Sequence, residues 1–136
     1  LLQSRIKNQT IAEVEQQGLH AMSIITQTIR NASAVSFPTQ GTSAASSSFT
    51  TLVATTSPTI FDLSGGVLRI QEGGSSTVAL TNVRVSASNV LFYNLSRTGT
   101  PGILRVQFTL AHVNPEGRGE YNFQKTFFSE LSWQSR

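Results

Sequence analysis

The residues able to do chemistry are few, and their spacing is uninformative. His20 and His112 are the only imidazoles. Neither has a second ligand at a metal-binding spacing such as HxxxH, so both read as exposed or partly packed side chains. Cysteine is absent, which removes disulfides, thiolate metal sites and thiol nucleophiles. Serine is plentiful, yet no GxSxG elbow occurs. The glycines of "LSGGV" (63–67) lack the lysine and following helix of a phosphate cradle and read as a hairpin turn. Calcium needs several oxygen ligands close together, whereas Asp62, Glu72, Glu116, Glu120 and Glu130 are dispersed. Asp62 faces Arg69 across the expected hairpin as an ordinary surface pair. Three N-x-S/T sequons begin at Asn8, Asn31 and Asn94, and they matter only where exported proteins are glycosylated. The expectation is a protein that is not an enzyme and has no cofactor or metal.

Composition narrows the class further. Ten Lys/Arg against seven Asp/Glu give a formal charge of +3. The bases are scattered, with Arg5 and Lys7 the one loose pair, so no basic stripe for phosphates is present and nucleic acid is not an expected partner. A polar surface of low charge, rich in Ser, Thr, Gly and Asn, is common in secreted and cell-surface domains. The length of 136 residues suits one domain. No apolar run approaches the roughly 18 residues needed to span a bilayer.

Three segments follow along this domain of residues 1–136. Ile11, Val14, Gly18, Met22, Ile25, Ile29 and Ala32 recur at spacings of three and four, which predicts one helix over 1–34, with the helical segment taken to 36. Gly18 marks a bend or a close approach. Pro38 and the β-leaning "AVSF" before it end the helix. At 1.5 Å per residue the helix is roughly 50 Å long, so its first 12 residues are expected to run beyond the sheet. Leu1 and Leu2 are not capping residues, and the pattern is already running there, so the native helix is expected to continue upstream. Residues 37–57 read as a connecting segment, in which 39–57 holds eleven Ser or Thr and is either a loop or a polar edge segment, with "FTTLVA" its only apolar part. From 58 to 136 the period is two. "TIFDLS" and "VLRIQE" flank Gly65–Gly66 as a hairpin. "EGGSS" makes the next turn. Asn82 breaks the pattern before "VRVS", and "NVLFYNLS" reads as a central strand. Leu104, Val106, Phe108 and Leu110 alternate with Arg105, Gln107 and Thr109. "NPEGRG" (114–119) turns the chain, and Tyr121, Phe123 and Phe127 follow on the last strand. The fold class is α+β, a long N-terminal α-helix packed on an antiparallel β-meander.

This order resembles a type IV pilin-like protein without its N-terminal membrane helix. "IAEVEQQGLHAMSIITQTIRNASAV" (11–35) looks like the second half of a pilin helix. "GGVLRI", "ALTNVRVSASNVLFYNL" and "FQKTFFSELSWQSR" look like the strands of J-type minor pseudopilins and W-type minor pilins. The two-cysteine C-terminal loop of many major pilins is missing, which favours a minor component. The resemblance implies a structural subunit of the tip or initiation complex of a type IV pilus or type II secretion pseudopilus. Its partners would be other pilin or pseudopilin subunits, with the inner membrane engaged through an upstream helix. The precursor would sit in a bacterial inner membrane, and the assembled filament in the periplasm or at the cell surface. Ile6, Ile11, Val14 and Gly18 are the candidates for helix contacts outside the domain's own core. Glu13 and Glu15 are candidates for pairing with Arg5 or Lys7 of a neighbour. The competing reading is an extracellular adhesive or carbohydrate-binding module, for which Trp133 and Tyr93 are the only aromatic platform.

Overall fold

The computed structural model describes residues 2–99 and 102–133. Leu1 and the last three residues of the closing "FQKTFFSELSWQSR" lie outside them. Helix α1 spans Leu2–Arg30. Its buried stripe is Thr10, Val14, Gln17, Gly18, Ala21, Ile25 and Ile29, at the spacing of one helical face. The predicted stripe was offset at two positions. Thr10 and Ala21 are buried, while Ile11 and Met22 are half-buried beside them.

The helix ends four to six residues before the predicted limit. Asn31 N–H donates to the Gln27 carbonyl at 3.2 Å, and the chain then enters strand β1, Ala32–Phe37. The cause is tertiary. β1 pairs with β3, Ser47–Thr51, placing Ala32 opposite Thr51 and Val35 opposite Phe49. The Ser/Thr-rich connection is therefore not a plain loop. It holds β2, Ser43–Ala44, as well as β3, and a short 3-10 turn at Ala54–Thr56. The remaining strands are β4 (Thr59–Ser64), β5 (Val67–Glu72), β6 (Val78–Ala79), β7 (Val85–Asn94), β8 (Ile103–His112) and β9 (Gln124–Ser132).

A single meander is corrected to two antiparallel sheets, one ordered β1-β3-β4-β5-β6 and the other β2-β7-β8-β9. After a first visit to the second sheet at β2, the chain changes sheet for the last time at residues 80–84, where Asn82 breaks the alternation. Both sheets close over one core. The Phe61 ring on β4 stacks on Phe92 of β7 at 6.1 Å, and Phe49 meets Phe61 edge-on at 5.9 Å. Ala87 N–H donates to Gly66 O at 2.8 Å, which ties the first hairpin's tip to β7. That hairpin forms as expected. Gly65 and Gly66 both take positive φ, as a two-residue turn of this kind requires, and Asp62 lies opposite Arg69. The last two residues of "VRVS", Val85 and Ser86, and "NVLFYN" belong to one strand, not two. Asn89 at φ 52° makes a bulge between Ser88 and Leu91 that reconciles their patterns.

The helix lies on β8 and β9. Leu104, Val106, Phe108 and Leu110 are all fully buried beneath it or beside it, as their alternation predicts. Each such side chain contributes about 1.5–3 kcal/mol by leaving water. Gly18 has a packing reason, though its neighbour is a ring and not a backbone. A Cβ on Gly18 would stand 2.0 Å from Phe127 Cζ, and Phe127 in turn stacks on Phe108 at 5.5 Å. Only glycine lets that ring reach the helix.

Candidate functional site

The long helix is the only element that the sequence marks for partner contact, so its surface is the candidate site. Residues 6–10 do not stand clear of the domain. The segment 113–123, between β8 and β9, crosses over them and carries a short 3-10 turn at Gly119–Tyr121. Thr10 is 2 % exposed, and its hydroxyl shares its one hydrogen between the Glu120 carbonyl and the Ile6 carbonyl of its own helix, each at 2.9 Å. Lys7 Nζ donates to the carbonyls of Gly119 (3.4 Å) and Asn122. At Lys7 and Thr10 the helix is therefore covered by this segment, which is not part of the sheet, while residues 2–5 are exposed.

The five predicted interface residues part company. Val14 and Gly18 are buried in the domain's own core and have no surface left for a neighbour. Their assignment to outside contacts is corrected for that reason. Ile11 is half-buried at the edge of the same stripe. Ile6 is half-buried and lines a cleft of about 470 Å³ with Gln9, Thr10, Glu13, Arg84, His112 and Tyr121. The exposed helix positions include Leu2, Leu19, Ala12 and Gln16. Leu2 and Leu19 are 67 % and 65 % exposed. Leu19 was missed because it falls outside the apolar stripe. An isolated leucine on the polar face was its only signal.

Glu13 is held inside the molecule. Its Oε1 accepts from Arg84 at 2.9 Å and its Oε2 from the Gln17 amide at 2.9 Å. The Gln17 carbonyl oxygen accepts from Asn82 N–H at 2.8 Å, and the Asn82 side chain accepts from Arg84 N–H at 2.9 Å. This chain of bonds staples the helix to the sheet-changing segment. The Gln17 hydrogen bond, and then Arg84, hold the Glu13 carboxyl below the usual carboxylate range, against the opposing effect of burial. Glu15 meets Lys125 at 3.0 Å. Within the chain, Glu13 and Glu15 are thus paired with Arg84 and Lys125.

Other candidates resolve as local structure. His20 is exposed on the helix beside the cleft of Val67, Leu80 and Val83. His112 stacks on Tyr121 at 5.6 Å. Among the described residues no three His, Asp or Glu lie close enough to hold a metal ion. Asp62 and Arg69 form a two-point ion pair at 2.7 and 2.8 Å, as expected. Asn94 is buried, its amide donating at 3.0 Å to the Pro38 carbonyl and its oxygen accepting from Ser96, so this sequon is closed in the folded domain. The half-buried indole of Trp133 packs over Gly102, where a Cβ would come within 2.2 Å of it. That packing takes one ring face away from any sugar platform. Among the described residues no helix is long and apolar enough to cross a membrane. No model of a protein family, no curated protein and no solved structure matches this chain.

Proposed function

We propose that this chain is a structural subunit, a minor pilin or pseudopilin that assembles through its N-terminal helix into the tip or initiation complex of a type IV pilus or secretion pseudopilus. The observation that carries this reading is the 29-residue helix running from Leu2 along β8 and β9, with its C-terminal half in the core and its opposite face open. A single helix serving both the domain and an assembly needs that division. The resemblance of residues 11–35 and of the strand motifs to minor pilins supplies the rest. In this reading an apolar continuation of the helix anchors the precursor in the inner membrane, and the sheets face outward to neighbouring subunits.

Because Val14 and Gly18 are committed to the core, the contacts fall to the outer face, at Leu2, Arg5, Ala12, Gln16 and Leu19. The coding sequence on the N-terminal side of Leu1 tests the reading. A short basic leader ending in Gly, followed by about 20 apolar residues with a Glu near their start, is the expected result. A cleavable signal peptide or another folded domain there would overturn it.

A further inference from the structure

We propose that residues 113–123 form a strap that lifts from the N-terminal half of the helix while the rest of the domain stays folded. The segment is fastened to the helix by polar contacts, from Thr10 Oγ to Glu120 O and from Lys7 Nζ to the carbonyls of Gly119 and Asn122. Residues 115–119 are exposed, while the Glu120 side chain beside them is 10 % exposed. Clefts of about 470 and 240 Å³ lie beside Tyr121, whose half-buried ring stacks on His112 at 5.6 Å and carries the Arg118 guanidinium at 5.7 Å. The strap has internal bonds of its own. The Asn114 side chain donates to Arg118 O at 2.8 Å and accepts from Arg118 N–H at 2.9 Å, and Arg118 pairs with Glu120. The His112–Tyr121 stack and the bond from His112 N–H to Phe123 O at 3.0 Å mark its root.

A segment with its own internal bonds, exposed over 115–119 and with its buried apolar surface confined to half-buried Tyr121 and Phe123, opens locally at lower cost than the core. Lifting it uncovers Thr10 and the inner side of Ile6, while Val14, under the core, stays closed. This goes beyond the subunit reading. If that reading holds, the strap decides when the Ile6–Thr10 face is available.

The chain has no cysteine, so a single introduced thiol reports one position. T10C and V14C would be labelled with a thiol reagent under native conditions, with A21C as a second fully buried reference should V14C fold poorly. The expected result is labelling of T10C at least about tenfold faster than the core positions. Adding Lys7→Met should speed T10C a further several-fold, to about tenfold, through the loss of a charged donor, and leave the core thiols unchanged. Equal rates for all thiols, or a Lys7→Met effect of the same size at every position, would show that strap and core open only together and would overturn the proposal. The labelling needs no filament, so it stands or falls apart from the subunit reading.

Discussion

The two halves of the one helix are held to the domain by different physics. From Val14 to Ile29 the contact is mainly apolar, with Val14, Ala21, Ile25 and Ile29 all fully buried and Gly18 under the Phe127 ring, and its polar contacts, Glu15 with Lys125 and Gln17 with Asn82, fall at its N-terminal end. From Leu2 to Glu13 the contact is polar, made by Lys7, Thr10 and Glu13 with carbonyls and Arg84. Apolar burial is non-directional and cumulative, whereas exposed hydrogen bonds and ion pairs add little net stability. The C-terminal half therefore belongs to the folding unit. The N-terminal half is positioned by it and is easier to release.

The sharpest way to break this division is to attack the mainly apolar half. Phe108→Ala leaves a cavity beside Phe127 in a fully buried site and should cost about 3–5 kcal/mol, read as a loss of thermal and denaturant midpoint together. Gly18→Ala comes next. It gains up to about 1 kcal/mol of helix propensity, yet its methyl must displace the Phe127 ring, and overpacking of this kind costs about 1–3 kcal/mol. A net loss is expected in urea unfolding, and a net gain would show that the ring moves freely. A comparable Gly→Ala change at Gly41, which has open space but a φ of 79°, would separate backbone strain from overpacking.

The polar contacts of the helix should respond weakly, and that of Glu13 through pH. Glu13 is depressed in the folded state, so its stabilising contribution is complete at neutral pH. It starts to fall as the pH drops through the ordinary carboxylate value near 4.5 and is gone below the depressed folded value. Arg84→Met should cost about 0.2–1 kcal/mol at neutral pH. It should raise the Glu13 midpoint in a carboxyl NMR titration while leaving it below the usual value, because Gln17 still donates. An unmoved midpoint would assign the whole depression to Gln17. The smallest effect belongs to Lys125→Met. Its pair with Glu15 is 44 % exposed on each side, and stability should change by no more than about 0.5 kcal/mol.

Legibility in the sequence followed the same line between local and distant causes. The helix stripe, the Gly65–Gly66 hairpin and the Leu104–Leu110 alternation are local patterns, and each was readable. The early end of the helix was not, because Ala32–Phe37 becomes a strand only by pairing with Ser47–Thr51, a segment whose Ser and Thr content disguises it. The division into two sheets was hidden for a similar reason. A break at Asn82 looks the same whether the next strand rejoins its sheet or leaves it. Asn89 concealed the continuity of β7, since a bulge inverts the alternation that a strand is read by. At the candidate site, the Glu13–Arg84 bond spans 71 positions and the Glu15–Lys125 pair 110, so no spacing rule reaches them. The cover over Thr10 likewise comes from 110 positions away.

Hydrogen exchange resolved along the helix tests the division most directly. Amides from about Gly18 to Ile29 should exchange only through global unfolding, with protection that tracks the denaturant-derived stability. Those from Ile6 to Thr10 should exchange by a smaller, denaturant-insensitive opening, at least about a hundredfold faster. Uniform protection along the whole helix, lost everywhere with the global transition, would contradict the account.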